Sequence, residues 1–390
     1  MQYLAANVVR EDTGKTIFPP YAIKYIRGIP VGIIGVVYAG TPSIVTASGV
    51  AGLKFLGEAE TVNKYVGVLK ARGVKAIIVL LHNGGTGTVT GGPITGDVVR
   101  VVEAMDDEVD VVLSAHSHNR YWGYIDGKLV TGAHSSGRAF ADVDLVLDRK
   151  TGDVVAKKAE IVAVASGTSI VPYQKIAEIV AVAVAKVAPV VSRIVGTAAT
   201  DLTRAQTAAG ESQLGDLIAD AQRWKGGTQI AMTNPGGIRT DLLAGEVTWG
   251  ELFSIQPFGN YLVTMNVTGA QIEDLLERQW LGQGTSIKML QISGLSYSWS
   301  ASAPVGSKVD PANIFVGGVP LNLAATYTIT ANNFLADGGD NFITFKSATN
   351  KVVGGSDLDA LLGYVGQLSQ PFGPRAGRRA NLPPWPTPTP

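Results

Sequence analysis

The run Val109-Asp110-Val111-Val112-Leu113-Ser114-Ala115-His116-Ser117-His118-Asn119 constrains this chain more than any other stretch. Its β-branched, mostly apolar beginning reads as a buried strand. Open α/β sheets bind ligands outside the carboxyl ends of their strands, and here that end carries two imidazoles one residue apart. Side chains at i and i+2 of an extended backbone share a face, so His116 and His118 are predicted to aim at one point. Alone, a His-x-His reads equally as one hydrogen-bonded core imidazole and one surface imidazole.

The neighbouring segments weigh against that plainer reading. Val74 to Leu81 is a second apolar strand with His82 at its carboxyl end, followed by Asn83-Gly84-Gly85 and a glycine- and threonine-rich loop to Gly96. His82 and His116 lie 34 residues apart, about one strand–helix–strand unit, so neighbouring strands would present their imidazoles side by side. Helices fit between the strands. Val62, Tyr65, Val66 and Leu69 form one apolar stripe over Glu58 to Arg72, and Asp97 is placed to cap a helix striped by Val98, Val101, Val102 and Met105. The fourth histidine, His134, falls in a turn-like segment between strands and reads as a loop residue.

Cysteine is absent, which excludes disulfide scaffolds, thiolate zinc sites and cysteine nucleophiles. Neutral imidazoles suit zinc, manganese and related ions, and His82, His116 and His118 are candidate ligands of a two-metal hydrolase centre. Two dications held by three neutral side chains would leave roughly +4 of charge uncompensated. No acid in residues 1–165 has a clear claim to complete the set, because Asp97 reads as a cap and Asp110 lies at the wrong end of its strand.

A chain of 390 residues suggests two domains. Lys+Arg and Asp+Glu balance at 32 each, so no net field recruits nucleic acid or an acidic membrane. The Ala/Val-rich segment Pro172 to Val187 is predicted to be a helix stopped by Pro189, shorter than the ~20 residues of a bilayer span, and it marks the boundary as a connecting rod or hinge. Beyond it, Ser212 is placed to cap a helix built on Leu214, Leu217, Ile218 and Ala221, and Thr268 to start another over Gly269 to Gln279. Ile230 to Thr233 runs into Asn234-Pro235-Gly236-Gly237-Ile238-Arg239, where Gly236 and Gly237 permit close backbone approach and Arg239 can fork two donors onto a phosphate. Phe258 and Phe334 stand in glycine-rich or polar settings, outside apolar stripes, as stacking platforms would. Asp340 could accept ribose hydroxyls. Singly, these read as a buried phenylalanine, a turn aspartate and a surface arginine; together they describe a nucleotide pocket. Neither a Walker loop nor a GxGxxG fingerprint is present.

On these motifs, with Ser114-Ala115-His116-Ser117-His118, Pro257-Phe258-Gly259-Asn260 and Asn333-Phe334-Leu335-Ala336-Asp337-Gly338-Gly339-Asp340, the chain resembles the 5′-nucleotidase family, which includes UDP-sugar hydrolases and 2′,3′-cyclic-nucleotide phosphodiesterases. The resemblance implies an α/β fold. It would comprise an incomplete calcineurin-like metallophosphoesterase sandwich over 1–168, a linker helix over 169–190, an α+β C-terminal nucleotide-binding domain over 191–370 and a disordered Pro/Thr tail over 371–390. It also implies two divalent metal ions (zinc, manganese or similar), with His82 and His116 on one and His118 on the other. Phe258 and Phe334 would sandwich the base, Asn234 and Arg239 would hold phosphate or ribose, and Asp340 the ribose.

The family's Asp-x-His, Gly-Asp and Gly-Asn-His-Asp/Glu motifs should precede Tyr3 and are absent. The strand-like Tyr3 to Val9, starting almost at Met1 without a signal peptide, points the same way, to a carboxyl-terminal portion that binds nucleotide weakly and hydrolyses little alone. The family's arginine before the Glu-Ser-x-Leu-Gly motif is replaced by Ala208 and Ala209, with Arg204 the nearest substitute. The family further implies a nucleotide partner and an extracellular, periplasmic or cell-surface location. The rival reading is a non-catalytic nucleotide-binding module.

Overall fold

The structure, a computed structural model, describes residues 3–45, 47–165, 170–284, 286–374 and 378–382. The chain forms two compact units, Met1–Pro42 with Ser48–Val171, and Ser43–Ala47 with Pro172–Pro390.

The first unit contains, in order, β1 (Val8–Arg10), β2 (Tyr21–Ile26), β3 (Ile29–Val37), β4 (Leu53–Phe55), α1 (Glu58–Lys70), β5 (Ala76–His82), α2 (Asp97–Glu103), β6 (Val109–Ser114), β7 (Arg120–Ile125), β8 (Lys128–Ala133), β9 (Ala139–Leu147) and β10 (Val154–Ala163). Six strands form one sheet in the order β2-β3-β5-β6-β8-β7. Its middle four strands are parallel, and each edge strand is antiparallel to its neighbour. Val62, Val66 and Leu69 of α1 and Val98, Val101 and Val102 of α2 pack with Ile34, Ile77, Val79 and Val112 of the sheet. Val143 and Leu145 of the β9–β10 ribbon pack with Val111 and Leu129. The apolar strands are thus buried because both faces are covered.

Two local expectations for this unit are corrected. Of the expected first strand, Tyr3 to Val9, only Val8 and Val9 pair as a strand, which extends to Arg10. Before it, Ala5 N and Ala6 N donate singly to Pro19 O and Gly35 O, and the Asn7 side chain adds bonds of its own, donating to Val37 O and Leu56 O and accepting from Val37 N. Asp97 is the first residue of α2, and its N-cap is Gly96. The Asp97 carboxylate is instead taken by Asn83 and Arg100.

The second unit contains α3 (Gln174–Val191), β11 (Ile194–Ala198), α4 (Gln213–Gly226), β12 (Ile230–Thr233), β13 (Gly245–Thr248), α5 (Trp249–Ile255), β14 (Tyr261–Thr268), α6 (Gly269–Glu277), β15 (Gln291–Ser293), β16 (Leu295–Ser300), β17 (Val309–Val316), β18 (Val319–Pro320), β19 (Thr326–Asn332), α7 (Asn333–Ala336), β20 (Thr349–Ser356), α8 (Asp357–Gln367) and β21 (Arg379–Leu382). A five-stranded sheet runs β15-β12-β19-β14-β20, and a four-stranded one runs β18-β17-β16-β21. Ser212 caps α4 by accepting from Gly215 N. Thr268 and Gln271 form a reciprocal capping box at α6, as the local sequence favours.

Pro189 does not stop α3, which continues to Val191. So close to the helix end a proline sacrifices a single backbone bond, and Ser192 N still reaches Ala188 O. The stretch after Pro371 is also corrected. Phe372 is buried and bridges to Ala198, and Arg379–Leu382 lies parallel on Tyr297–Ser300. A sheet edge satisfies the backbone of a segment whose composition alone reads as unpacked. Residues 166–168 of the expected first domain, the expected linker's first residue, 169, and residues 375–377 and 383–390 of the expected tail lie outside the described residues.

Candidate functional sites

In the first unit, the register of β5 on β6 pairs Leu81 with Ser114, so His82 emerges beside the turn that carries His116. Their rings meet edge to face with centroids 5.2 Å apart. Tyr38, just past β3, stacks on His116 at 5.2 Å. The extended i, i+2 geometry expected for His116 and His118 is not adopted: β6 ends at Ser114, and both histidines are left-handed, with φ of 71° and 56°. Bonds to neighbouring strands and within the turn accompany the change. Ser114 Oγ donates to Thr131 O and is hydrogen-bonded to the Tyr121 hydroxyl, while Ser117 N turns back to Ala115 O. The adjacent glycine loop is equally constrained. A Cβ on Gly84 would lie 2.2 Å from Ala115 O, so only glycine lets that backbone pass.

Electrostatics reports the proximity of the three imidazoles. Burial lowers the pKa of His82, and the neighbouring His118 lowers it further. Burial likewise lowers His116, with His82 and His118 adding to it. Both imidazoles are thereby favoured in the neutral form that binds metals. The acids nearby in sequence are engaged elsewhere. Asn83 Nδ2 donates to Asp97 Oδ2 at 2.7 Å and to Glu58 Oε1 at 3.3 Å. Asp110 accepts from Ile77 N, at the opposite end of β6 from the histidines. Among the described residues, no group of three or more histidines and carboxylates is arranged to hold a metal ion. Three neutral donors without an anion do not fit a dinuclear centre. The His134 ring stays with its own loop, its Nδ1 accepting from Ser135 N, while its backbone N donates to Asn119 O, next to His118.

In the second unit, β12 delivers Asn234 to a short 3-10 turn, Pro235–Gly237. Asn234 is buried, donates to Asp340 Oδ2 at 3.0 Å and accepts from Asn332 Nδ2 at 3.0 Å. Asn332 also caps α7 by accepting from Leu335 N, and α7 carries Phe334. Asn333 Oδ1 accepts from Tyr261 N, three residues after Phe258, so the two aromatic-bearing segments are hydrogen-bonded to each other. Phe258 is exposed, whereas Phe334 is half-buried against the core. Gly339 lies against the Phe334 ring so closely that a Cβ there would come within 2.5 Å of it. The Arg239 guanidinium sits 5.5 Å from the Phe258 ring centre and donates to Gly236 O. Gly237 lies beside the Asn234 amide. Arg204 reaches Ile238 O, next to Arg239.

Asn234, Gly236, Gly237 and Arg239 thus lie in one turn, with Asp340 bonded to it and Phe334 reached through Asn332; Phe258 joins through Arg239. Sequence reasoning missed Lys288, whose Nζ donates to Asp340 Oδ1 at 2.8 Å, and Gln283, which donates to the Asp340 carbonyl. Neither residue stands in a motif, and no local signal marks them.

A family model described as 5′-nucleotidase, C-terminal domain, matches residues 190–347. The 5′-nucleotidase precursor of Thermus thermophilus, a solved structure, is 30% identical with a TM-score of 0.81, covering 98% of this chain and 78% of that one. Endonuclease YhcR of Bacillus subtilis is 35% identical over 95% of this chain and 30% of its own length. Cell wall protein Lmo0130 of Listeria monocytogenes is 33% identical over 94% of this chain and 50% of its own length. The chain therefore spans half or less of these two curated relatives.

Proposed function

Because the chain belongs to the 5′-nucleotidase family, we propose that it binds a nucleoside monophosphate as part of a phosphohydrolase that splits it into nucleoside and phosphate. The ring faces of Phe258 and Phe334 take the base, Asn234 and Arg239 hold phosphate or ribose with Gly236 and Gly237 giving backbone access, and Asp340 accepts from the ribose. One observation carries this reading. The buried Asp340 carboxylate is held by Asn234 and Lys288, and the backbone next to it lies against the Phe334 ring. A sugar acceptor beside an aromatic platform matches the shape of a nucleoside. 2′,3′-Cyclic nucleotides and UDP-sugars present the same base and sugar and are the alternative substrates.

His82, His116 and His118 are the neutral part of a metal centre and bring no carboxylate with them. The chain by itself is accordingly a nucleotide binder with little or no hydrolysis. That same donor set favours the second reading, a binding module without turnover. An extracellular, periplasmic or cell-surface location is supported by the name of the Listeria relative. No helix among the described residues is long and apolar enough to cross a membrane.

Titration of the chain with AMP tests the reading, with Phe334→Ala expected to weaken binding by ~1–3 kcal/mol, the range of a lost base–aromatic stack. Unchanged affinity removes the stacking assignment. Metal-dependent AMP hydrolysis by the pure chain, abolished in His116→Ala, would show the donor set to be sufficient and overturn the prediction of inactivity.

A further inference from the structure

Lys288 lies outside every motif that points to nucleotide binding, yet it makes the shortest polar contact of the Asp340 carboxylate, 2.8 Å against 3.0 Å for Asn234. A carboxylate offers about four lone-pair sites on two oxygens. Among the described residues, Lys288 fills one site on Oδ1 and Asn234 one on Oδ2, which fixes the plane of the group and leaves one site on each oxygen of a side chain that is 11% exposed. A vicinal ribose diol supplies two donors at matching separation. The backbone is fixed as well: Asp340 is left-handed at φ 53°, and Gln283 Nε2 donates to its carbonyl at 2.7 Å. The Lys288 side chain is only 26% exposed, so its charge acts in a partly desolvated setting, where it is screened less than a surface ion pair.

We propose that Lys288 is the specificity-determining positioning residue of the nucleotide site, holding Asp340 as a fixed two-oxygen acceptor so that ribonucleotides are chosen over 2′-deoxyribonucleotides. The proposal rests on the reading that Asp340 faces the sugar. Without Lys288 the carboxylate is anchored through one oxygen, turns about Cβ–Cγ and loses its counter-charge, so the second hydroxyl gains little from it.

The test is calorimetric titration of the whole chain with AMP and 2′-deoxy-AMP, for wild type, Lys288→Met and Lys288→Arg. Wild type is expected to favour AMP by ~10-fold or more, the value of a hydrogen bond to a charged group. Lys288→Met should weaken AMP by about 10-fold and 2′-deoxy-AMP by no more than about 2-fold, collapsing the ratio; Lys288→Arg should restore part of it. Equal weakening of both ligands, or an unchanged ratio in Lys288→Met, overturns the proposal while leaving nucleotide binding intact. Failure of wild type to bind AMP, or AMP binding unaffected by Phe334→Ala, overturns the reading underneath it. Circular dichroism separates a misfolded Lys288→Met, which loses both ligands, from a folded one; if it misfolds, Lys288→Gln, which keeps a donor without the charge, must lower the ratio or the proposal falls.

Discussion

Replacing Arg378 with methionine should destabilise the second unit by ~3–5 kcal/mol, the cost of removing one partner from a buried ion pair. Its guanidinium is 15% exposed and reaches Asp220 Oδ2 at 2.7 Å and Asp216 Oδ1 at 3.6 Å, carboxylates that are 10% and 1% exposed. Those acids stand one helical turn apart on α4, so their charges face the same way. The same guanidinium donates to Ile292 O and Asp216 O, and Arg378 N donates to Glu211 Oε1. Methionine preserves much of the side chain's apolar bulk but removes the cation that these two inward carboxylates share. Urea unfolding followed by tryptophan fluorescence, with hydrogen exchange on α4 peptides to assign the transition, reads the loss. Adding Asp216→Asn and Asp220→Asn to Arg378→Met should recover most of it, because the uncompensated charge is then gone. A loss below about 1 kcal/mol, the range of exposed pairs, would refute the reasoning that these charges are held out of water.

Three further outcomes are expected. Asn332→Ala removes both the cap of α7 and the donor to Asn234. It should cost ~2 kcal/mol by chemical denaturation and weaken AMP binding as Phe334 and Asp340 lose their common support. If AMP affinity is unaltered, α7 does not position the site. Burial pushes the Asp357 carboxyl up to about 6, against the hydrogen bonds from Asn260 and the α8 backbone. Between the ordinary value near 3.8 and about 6 the folded state therefore binds more protons than the unfolded one. This contribution to stability is fully present below the lower value and is lost as pH rises through the upper. Asp357→Asn should consequently gain on wild type between about pH 4 and 7 by at most ~3 kcal/mol; a stability difference independent of pH would contradict it. Gly84→Ala, which drives a Cβ to 2.2 Å from Ala115 O, should cost ~1–3 kcal/mol and shift the His116 ring resonances. Unshifted resonances would mean that the two loops are not in contact.

What the sequence determined by itself was whatever neighbouring residues decide among themselves. Ser212 and Thr268 cap their helices as read, because a cap joins a side chain to a backbone group three residues away. β5 and β6 end at His82 and just before His116, because β-branched apolar runs have few other uses. The asparagine–glycine turn and the Phe334 segment were recognisable through motif resemblance alone, since periodicity does not distinguish a ligand loop from any other turn.

Tertiary structure decided the rest. Lys288 meets Asp340 across 52 residues and Arg378 meets Asp220 across 158, and a lone lysine or arginine carries no mark of its distant partner. The turn at His116 and His118 was hidden for the same reason, since it forms where Ser114 bonds to Tyr121 and Thr131. The short segment Arg379–Leu382 reads as loose until a neighbouring strand offers its edge. Short-range chemistry sets which elements form; which charges and hydrogen-bond groups end up facing one another is settled only when those elements pack and water leaves.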